Sequence, residues 1–168
     1  MKNSINLNYE DTYIRSILNN TKTIAMIGLS PSWNRPSYFV AKYLIDRGYK
    51  IFPINPKASG KKILGQYVYT KVSEIKEKID MIDIFRKSSD IDLFANECIY
   101  AKPKFIWLQI GIVNKNLAIL AKKNKIKIVM NRCPKIEYSR LSGELGWAGI
   151  NSGTIINKRR IIKPTNIN

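Results

Sequence analysis

TIAMIGLSPSWNRPSYFVAKYLIDRGY, residues 23–49, reads as a buried strand, a turn and a helix in immediate succession. The apolar run Ile24 to Ile27 ends at Gly28. From Ser37 onward Phe39, Val40, Tyr43 and Leu44 recur at helical spacing, up to Gly48 at the expected C-terminal cap. A strand feeding a helix through a glycine turn opens a nucleotide-binding α/β unit, and that turn normally carries G-x-G-x-x-G. Here the first glycine is followed by Ser30, Pro31, Asn34, Arg35 and Pro36. Without the second glycine a backbone approaches a pyrophosphate less closely. Arg35 and Ser37, at the entrance to the helix, can supply the donors instead.

Outward from this unit the same alternation continues. Upstream, residues 10–20 place Tyr13, Ile14, Ile17 and Leu18 at helical spacing. Downstream, strands are expected at 50–55, 81–85, 104–111 and 126–131, with helices at 90–101 and 114–124 and a short helix from Ser73. The expected fold class is α/β: a Rossmann-like, doubly wound, mainly parallel five-stranded sheet flanked by helices. Right-handed crossovers favour a strand order such as 3-2-1-4-5. Pro53, inside the second strand, argues for an edge position or for the strand's end. Residues 1–145 form one expected domain with an N-terminal helix, and 146–168 a C-terminal extension, partly flexible.

The chain has 168 residues, enough for one well-buried core and too few for two ordinary domains. No apolar stretch approaches the roughly 18–20 residues that span a bilayer, and the N-terminus lacks a signal-peptide pattern, so a cytoplasmic location is expected. There is no histidine, which excludes His-dependent triads and argues against a metal site. The formal net charge of +17 suits a polyanionic partner. However, the lysines are scattered without interleaved aromatics, so nucleic acid is disfavoured; Lys-Ile-Asn excess also follows from A/T-rich codons.

Ligands of open α/β sheets bind beyond the carboxyl ends of the strands. Those ends carry Gly28, Ser30 and Arg35; Asn55, Pro56 and Lys57; Arg86 and Ser88; Gln109 and Gly111; then Asn131, Arg132, Cys133 and Lys135. Arg35, Lys57, Arg86, Arg132 and Lys135 thus share one rim, the composition of a phosphate site. The second strand ends in Lys57 rather than the acidic residue that holds a ribose 2′-hydroxyl. NAD is therefore disfavoured against a nucleotide with an additional phosphate.

With GLSPSWNRPSY (28–38), PINPKASGKKILGQ (53–66), DMIDIFRKS (80–88), WLQIGIVN (107–114) and VMNRCPKIEYSRL (129–141), the chain resembles the small stand-alone CoA-binding proteins of bacteria, the Rossmann-like family often called YccU-like. That family is similar in fold to the CoA-binding domain of the succinyl-CoA synthetase α-subunit. The resemblance covers most of residues 10–145. It implies coenzyme A, free or acylated, as the ligand. Gly28, Ser30, Arg35 and Ser37 would face the pyrophosphate, and Asn55, Pro56 and Lys57 the adenosine and its 3′-phosphate. Phe85, Arg86 and Ser88 would border the adenine or pantetheine, with Gln109 and Gly111 on the far side. Asn131 departs from the Asp frequent in the family, which puts in doubt any carboxylate role there.

These residues read as a binding module, carrier or sensor without a catalytic set. Two alternatives stay open: an enzyme acting on CoA thioesters or disulfides through Cys133 or with a partner subunit, and an NADP-binding oxidoreductase. Arg132 and Lys135 would lower the Cys133 thiol pKa if close to it. Cys98 reads as the buried face of a helix. An exposed edge strand would permit a homodimer.

Overall fold

Strand β1 (Thr23–Ile27) is internal to the sheet, and the run Ile24 to Ile27 is buried on both faces, as a strand covered on both sides requires. In the computed structural model, which describes residues 6–143, β1 lies between β2 (Lys50–Ile54) and β5 (Met81–Ile84). Beyond β5 come β6 (Phe105–Leu108) and β7 (Lys127–Val129), giving the order β2-β1-β5-β6-β7 with every pair parallel. Two-residue strands β3 (Lys62–Ile63) and β4 (Gln66–Tyr67) form a separate antiparallel hairpin. Its turn, Leu64-Gly65, has positive φ at both positions, the geometry that matches strand twist in a tight hairpin. The expected extension at 146–168 lies outside the described residues.

The sheet is doubly wound, but in the order second-first-third-fourth-fifth rather than 3-2-1-4-5. Pro53 explains the correction. Lys50 N–H and Ile54 C=O point to β1's side, so Pro53 presents its main chain to the outside, where it has no N–H to offer a further strand. Its carbonyl accepts instead from Tyr69 N–H (2.8 Å), and Asn55 N–H donates to Tyr69 C=O (2.9 Å). One extended turn of chain thus closes that edge.

Alternate residues of each strand feed two cores. Ile24, Met26, Met81 and Trp107 face α1 (Asp11–Asn19), α2 (Pro36–Asp46) and α5 (Pro134–Ser142). Ala25, Ile27, Ile82, Ile84 and Leu108 face α3 (Ala95–Tyr100) and α4 (Lys115–Lys123). Trp107 is fully buried, and its indole N–H donates to Arg132 C=O (2.8 Å), so the largest core side chain carries no unpaired donor.

Three local expectations are corrected. The helix expected at 90–101 is a 3₁₀ stretch, Ser88–Leu93, followed by α3, because Asp92 accepts from the side chains of Asn114 and Asn116 at the start of α4. The helix expected from Ser73 is one 3₁₀ turn, Val72–Glu74; Glu74 turns back to accept from Thr70 N–H and hydroxyl. Finally, α5 forms after the last strand, where the sequence reading sets no helix. Pro134 in its first turn and Gly143 in the left-handed conformation just after its end bracket it.

Candidate functional site

Gly28 sits where β1 must turn while passing close to the end of β5. Its φ is +84°, and a Cβ there would lie 2.5 Å from Phe85 C=O. The glycine is therefore demanded by the sheet itself. Its N–H donates to Ile54 C=O (2.8 Å), extending the β1–β2 ladder into the turn.

Beyond it the loop satisfies its own donors. Ser30 N–H donates to Ser37 Oγ (3.0 Å), and Ser32 N–H to Ser30 Oγ (3.1 Å). Serine hydroxyls occupy the amides that a glycine-rich turn would leave open for phosphate. Arg35 is exposed at the N-cap of α2, where the partial positive charge of the helix end adds to its own. Asn55 clamps this loop to the next: its Nδ2 donates to Leu29 C=O (2.9 Å), and its Oδ1 accepts from Lys57 N–H (3.1 Å).

Between these two loops and the chain following β5 lies a cleft of about 270 Å³. Ile27, Ile54, Pro56, Val72 and Phe94 give it apolar walls; Asn55, Lys57, Lys71 and Arg86 stand among its polar lining. Two acids also line it, and both are engaged. Asp90 pairs with Arg86 at 3.3 Å, and Glu97 accepts from Ser73 N–H (3.0 Å). Lys57 and Lys71 remain exposed, and neither makes an ion pair with any described residue. The cleft is therefore an apolar slot with an electropositive mouth.

Sequence reasoning missed Thr70, Lys71, Val72 and Phe94. They arrive through the pairing of Tyr69 with the β2 edge and through the 3₁₀ stretch, contacts with no local signature. The one available signal was Pro53, whose edge position obliges some segment to cover it.

The expected residues are not all brought together. Gly28, Asn55, Pro56, Lys57 and Arg86 line the cleft, and Ser30, Arg35 and Ser37 form the adjoining loop. Phe85 packs against the opposite core. The Ser88 hydroxyl accepts from Val113 N–H (3.3 Å), tying two loops together. Gly111, at φ +78°, donates its N–H to Asn131 Oδ1 (2.8 Å), so the Asn131 carboxamide serves as an acceptor that joins the ends of β6 and β7.

Gln109 is buried, and its Nε2 donates to Asp83 Oδ1 (2.6 Å). Asp83 is fully buried; burial raises its pKa to about 7, against the opposing hydrogen bonds from Gln109 and the Ile84 amide. Its Oδ2 has no partner among the described residues.

Arg132 stands apart from the cleft. Its guanidinium donates to Asn131 and Leu7 carbonyls (3.1 and 3.2 Å), and its Nε lies 3.6 Å from Glu137. It borders a separate cavity of about 570 Å³ together with Cys133, Glu137 and Arg140. Cys133 is 8% exposed, and burial pushes its thiol up from the ordinary value, with the Asp83 charge adding to the rise and Lys135 only partly opposing it. The thiol lowering expected from its basic neighbours is therefore reversed by desolvation. Cys98 is fully buried on α3, and burial raises its thiol to about 12.

Among the described residues no cluster of three or more metal-ligating side chains occurs, and no helix is long and apolar enough to cross a membrane.

The parallel sheet, its winding and a cleft at the carboxyl ends define a Rossmann-like ligand-binding domain. Residues 22–139 match the model of the CoA binding domain family, and the chain belongs to that family. It is 32% identical over 126 residues to YneT of Bacillus subtilis, covering 75% of this chain and 92% of that protein. A hypothetical protein from Pyrococcus horikoshii is similar in structure at 33% identity and TM-score 0.76, over 84% of this chain and 99% of the other. The α-subunit of the ADP-forming acetate–CoA ligase I of Pyrococcus furiosus is 35% identical over 83 residues, 47% of this chain but only 18% of that subunit.

Proposed function

We propose that this chain binds coenzyme A, free or acylated, in the cleft at the carboxyl ends of β2, β1 and β5, as a binding module without turnover of its own. The observation that carries the reading is the pairing of an apolar slot with Lys57 and Lys71, which are not engaged by either acid of the cleft. An adenine suits the walls formed by Ile54, Val72 and Phe94. The 3′-phosphate suits the two lysines, and the pyrophosphate suits Arg35 and Ser37 at the start of α2. Membership of the CoA binding domain family supports the same ligand.

The test is a calorimetric titration of the full chain with CoA, 3′-dephospho-CoA, NADP and NAD. CoA should bind best and lose affinity with the 3′-phosphate. Arg35→Ala should weaken CoA binding at least roughly tenfold, the size of a lost charge-assisted contact, with an unchanged melting temperature. Tight NADP binding without CoA binding would falsify the reading and turn the serine loop into a variant dinucleotide site.

An enzyme working through Cys133 is the second reading. The shared carboxyl edge of the sheet favours it, while the desolvated thiol opposes it. Thioester hydrolysis or thiol exchange that is lost in Cys133→Ala would establish it.

A further inference from the structure

The geometry points to a second, independent binding surface: a lysine-rimmed groove between α4 and the outer edge of β7 that accepts an acidic amphipathic helix of another protein. From Cys98 to Ile136 the chain contains no Asp or Glu but nine Lys and Arg. The fold gathers this stretch at one end of the sheet, as β6, α4 and β7. Four of its lysines, Lys115, Lys122, Lys125 and Lys127, are exposed and rim a groove of about 730 Å³. Ala118, Ile119, Ile126 and Ile128 are among the residues of its floor, and Ile119 is 67% exposed between Lys115 and Lys122 on the same face of α4. Apolar floor and cationic rim together match a partner with one apolar and one acidic face.

Other occupants fit less well. The β7 edge does not invite an added strand, because Tyr13 OH donates to Ile128 C=O (3.2 Å) and Met130 N–H donates to Tyr9 OH (2.9 Å). Nor are the tyrosines a stacking platform for bases. Tyr9 and Tyr13 stack on each other at 5.9 Å, with Arg132 over one ring (5.8 Å) and Lys127 over the other (5.7 Å). Residues 144–168 carry four Lys and Arg against one Glu, and a second copy carries +17, so like charge opposes both. The groove is separate from the cleft, since no residue lines both.

Fluorescence anisotropy of the full chain tests the groove. The probes are a labelled helical peptide with a Glu face and a Leu face, its scrambled isomer, an oligouridylate, and phosphatidylglycerol vesicles. The helix should bind, and the scrambled isomer should bind at least roughly tenfold more weakly, about 1.4 kcal/mol. Lys122→Glu/Lys125→Glu should cost a similar factor. The equal charge change Lys76→Glu/Lys78→Glu, remote from the groove, should cost less than about twofold. Ile119→Ser should weaken the helix and leave oligouridylate unaffected. Equal binding of the two peptides, or tighter lysine-dependent binding of oligouridylate or vesicles, overturns the helix assignment.

Discussion

At Gly28 two independent requirements meet, a φ of +84° and a Phe85 carbonyl 2.5 Å from where a Cβ would stand. Neither can relax without parting β1 from β5. Gly28→Ala should therefore lower stability by more than about 2 kcal/mol, measured by urea unfolding. Its neighbours in the loop are different: Ser30 and Ser37 bind each other, so their loss should weaken ligand binding more than folding.

Asp83 supplies the pH-dependent prediction. Its folded pKa, about 7, lies above the ordinary carboxyl value of 3.8 because burial disfavours the charge, so the folded state holds the proton more tightly. Its stabilising contribution is fully present below the unfolded pKa and is lost as pH rises through the folded pKa. Asp83→Asn keeps the acceptor for Gln109 and removes the buried charge. The variant should be more stable than the parent by a few kcal/mol near about pH 8 and show no such advantage near about pH 4. An advantage independent of pH in thermal melts would mean that ionisation of Asp83 is not the cause.

Among the elements, the two edge strands show how a parallel sheet is stopped. At β2 a proline withholds its N–H and the Tyr69 segment takes the remaining groups. At β7 two tyrosine hydroxyls do the same work from the N-terminal side. Both edges are blunted against strand addition. Tyr9→Phe/Tyr13→Phe should cost about 1 kcal/mol per hydroxyl removed and speed hydrogen exchange at the Met130 amide. Unchanged exchange there would mean that the amide finds another acceptor.

Helix boundaries illustrate what local pattern can carry. Gly48, Asn114 and the Pro134–Gly143 pair are terminal signals readable without a structure. Asn114 indeed caps α4 by accepting from Leu117 N–H (2.7 Å). The Ser88–Leu93 stretch has helical spacing and misses the α form because Asp92 is held across the fold by Asn114 and Asn116.

At the scale of the whole molecule, the cleft, the Cys133 cavity and the lysine groove occupy three different places around one sheet. The Arg140 guanidinium, held 2.7 Å from both Asp11 and Glu137, fastens α1 to α5 in the lining of the Cys133 cavity. A ligand that binds only the folded state stabilises it by about 2.7 kcal/mol at a hundredfold excess over its Kd. CoA should raise the melting temperature accordingly, by less in Lys57→Ala/Lys71→Ala, whose response to CoA should approach that of the parent to 3′-dephospho-CoA. Identical shifts in parent and variant would remove the 3′-phosphate from those lysines.

Sequence alone determined the α/β class, the five apolar strands, the turn after β1 and the cationic character of the strand ends. Each rests on local periodicity or on a residue whose backbone preference is its own, such as Gly28 or Pro53. Strand order is partly encoded in Pro53, which suits an edge position for β2 that the order 3-2-1-4-5 does not give it. Only the tertiary structure decided which cations remain available. Arg132 is spent on Leu7, Asn131 and Glu137, whereas Lys71, inconspicuous in the chain, stands at the mouth of the cleft. It also decided the state of Cys133, whose sequence neighbours are basic but whose pKa follows its burial. The physical reason is common to both: charge availability and desolvation depend on contacts between residues far apart in the chain, which no local spacing records.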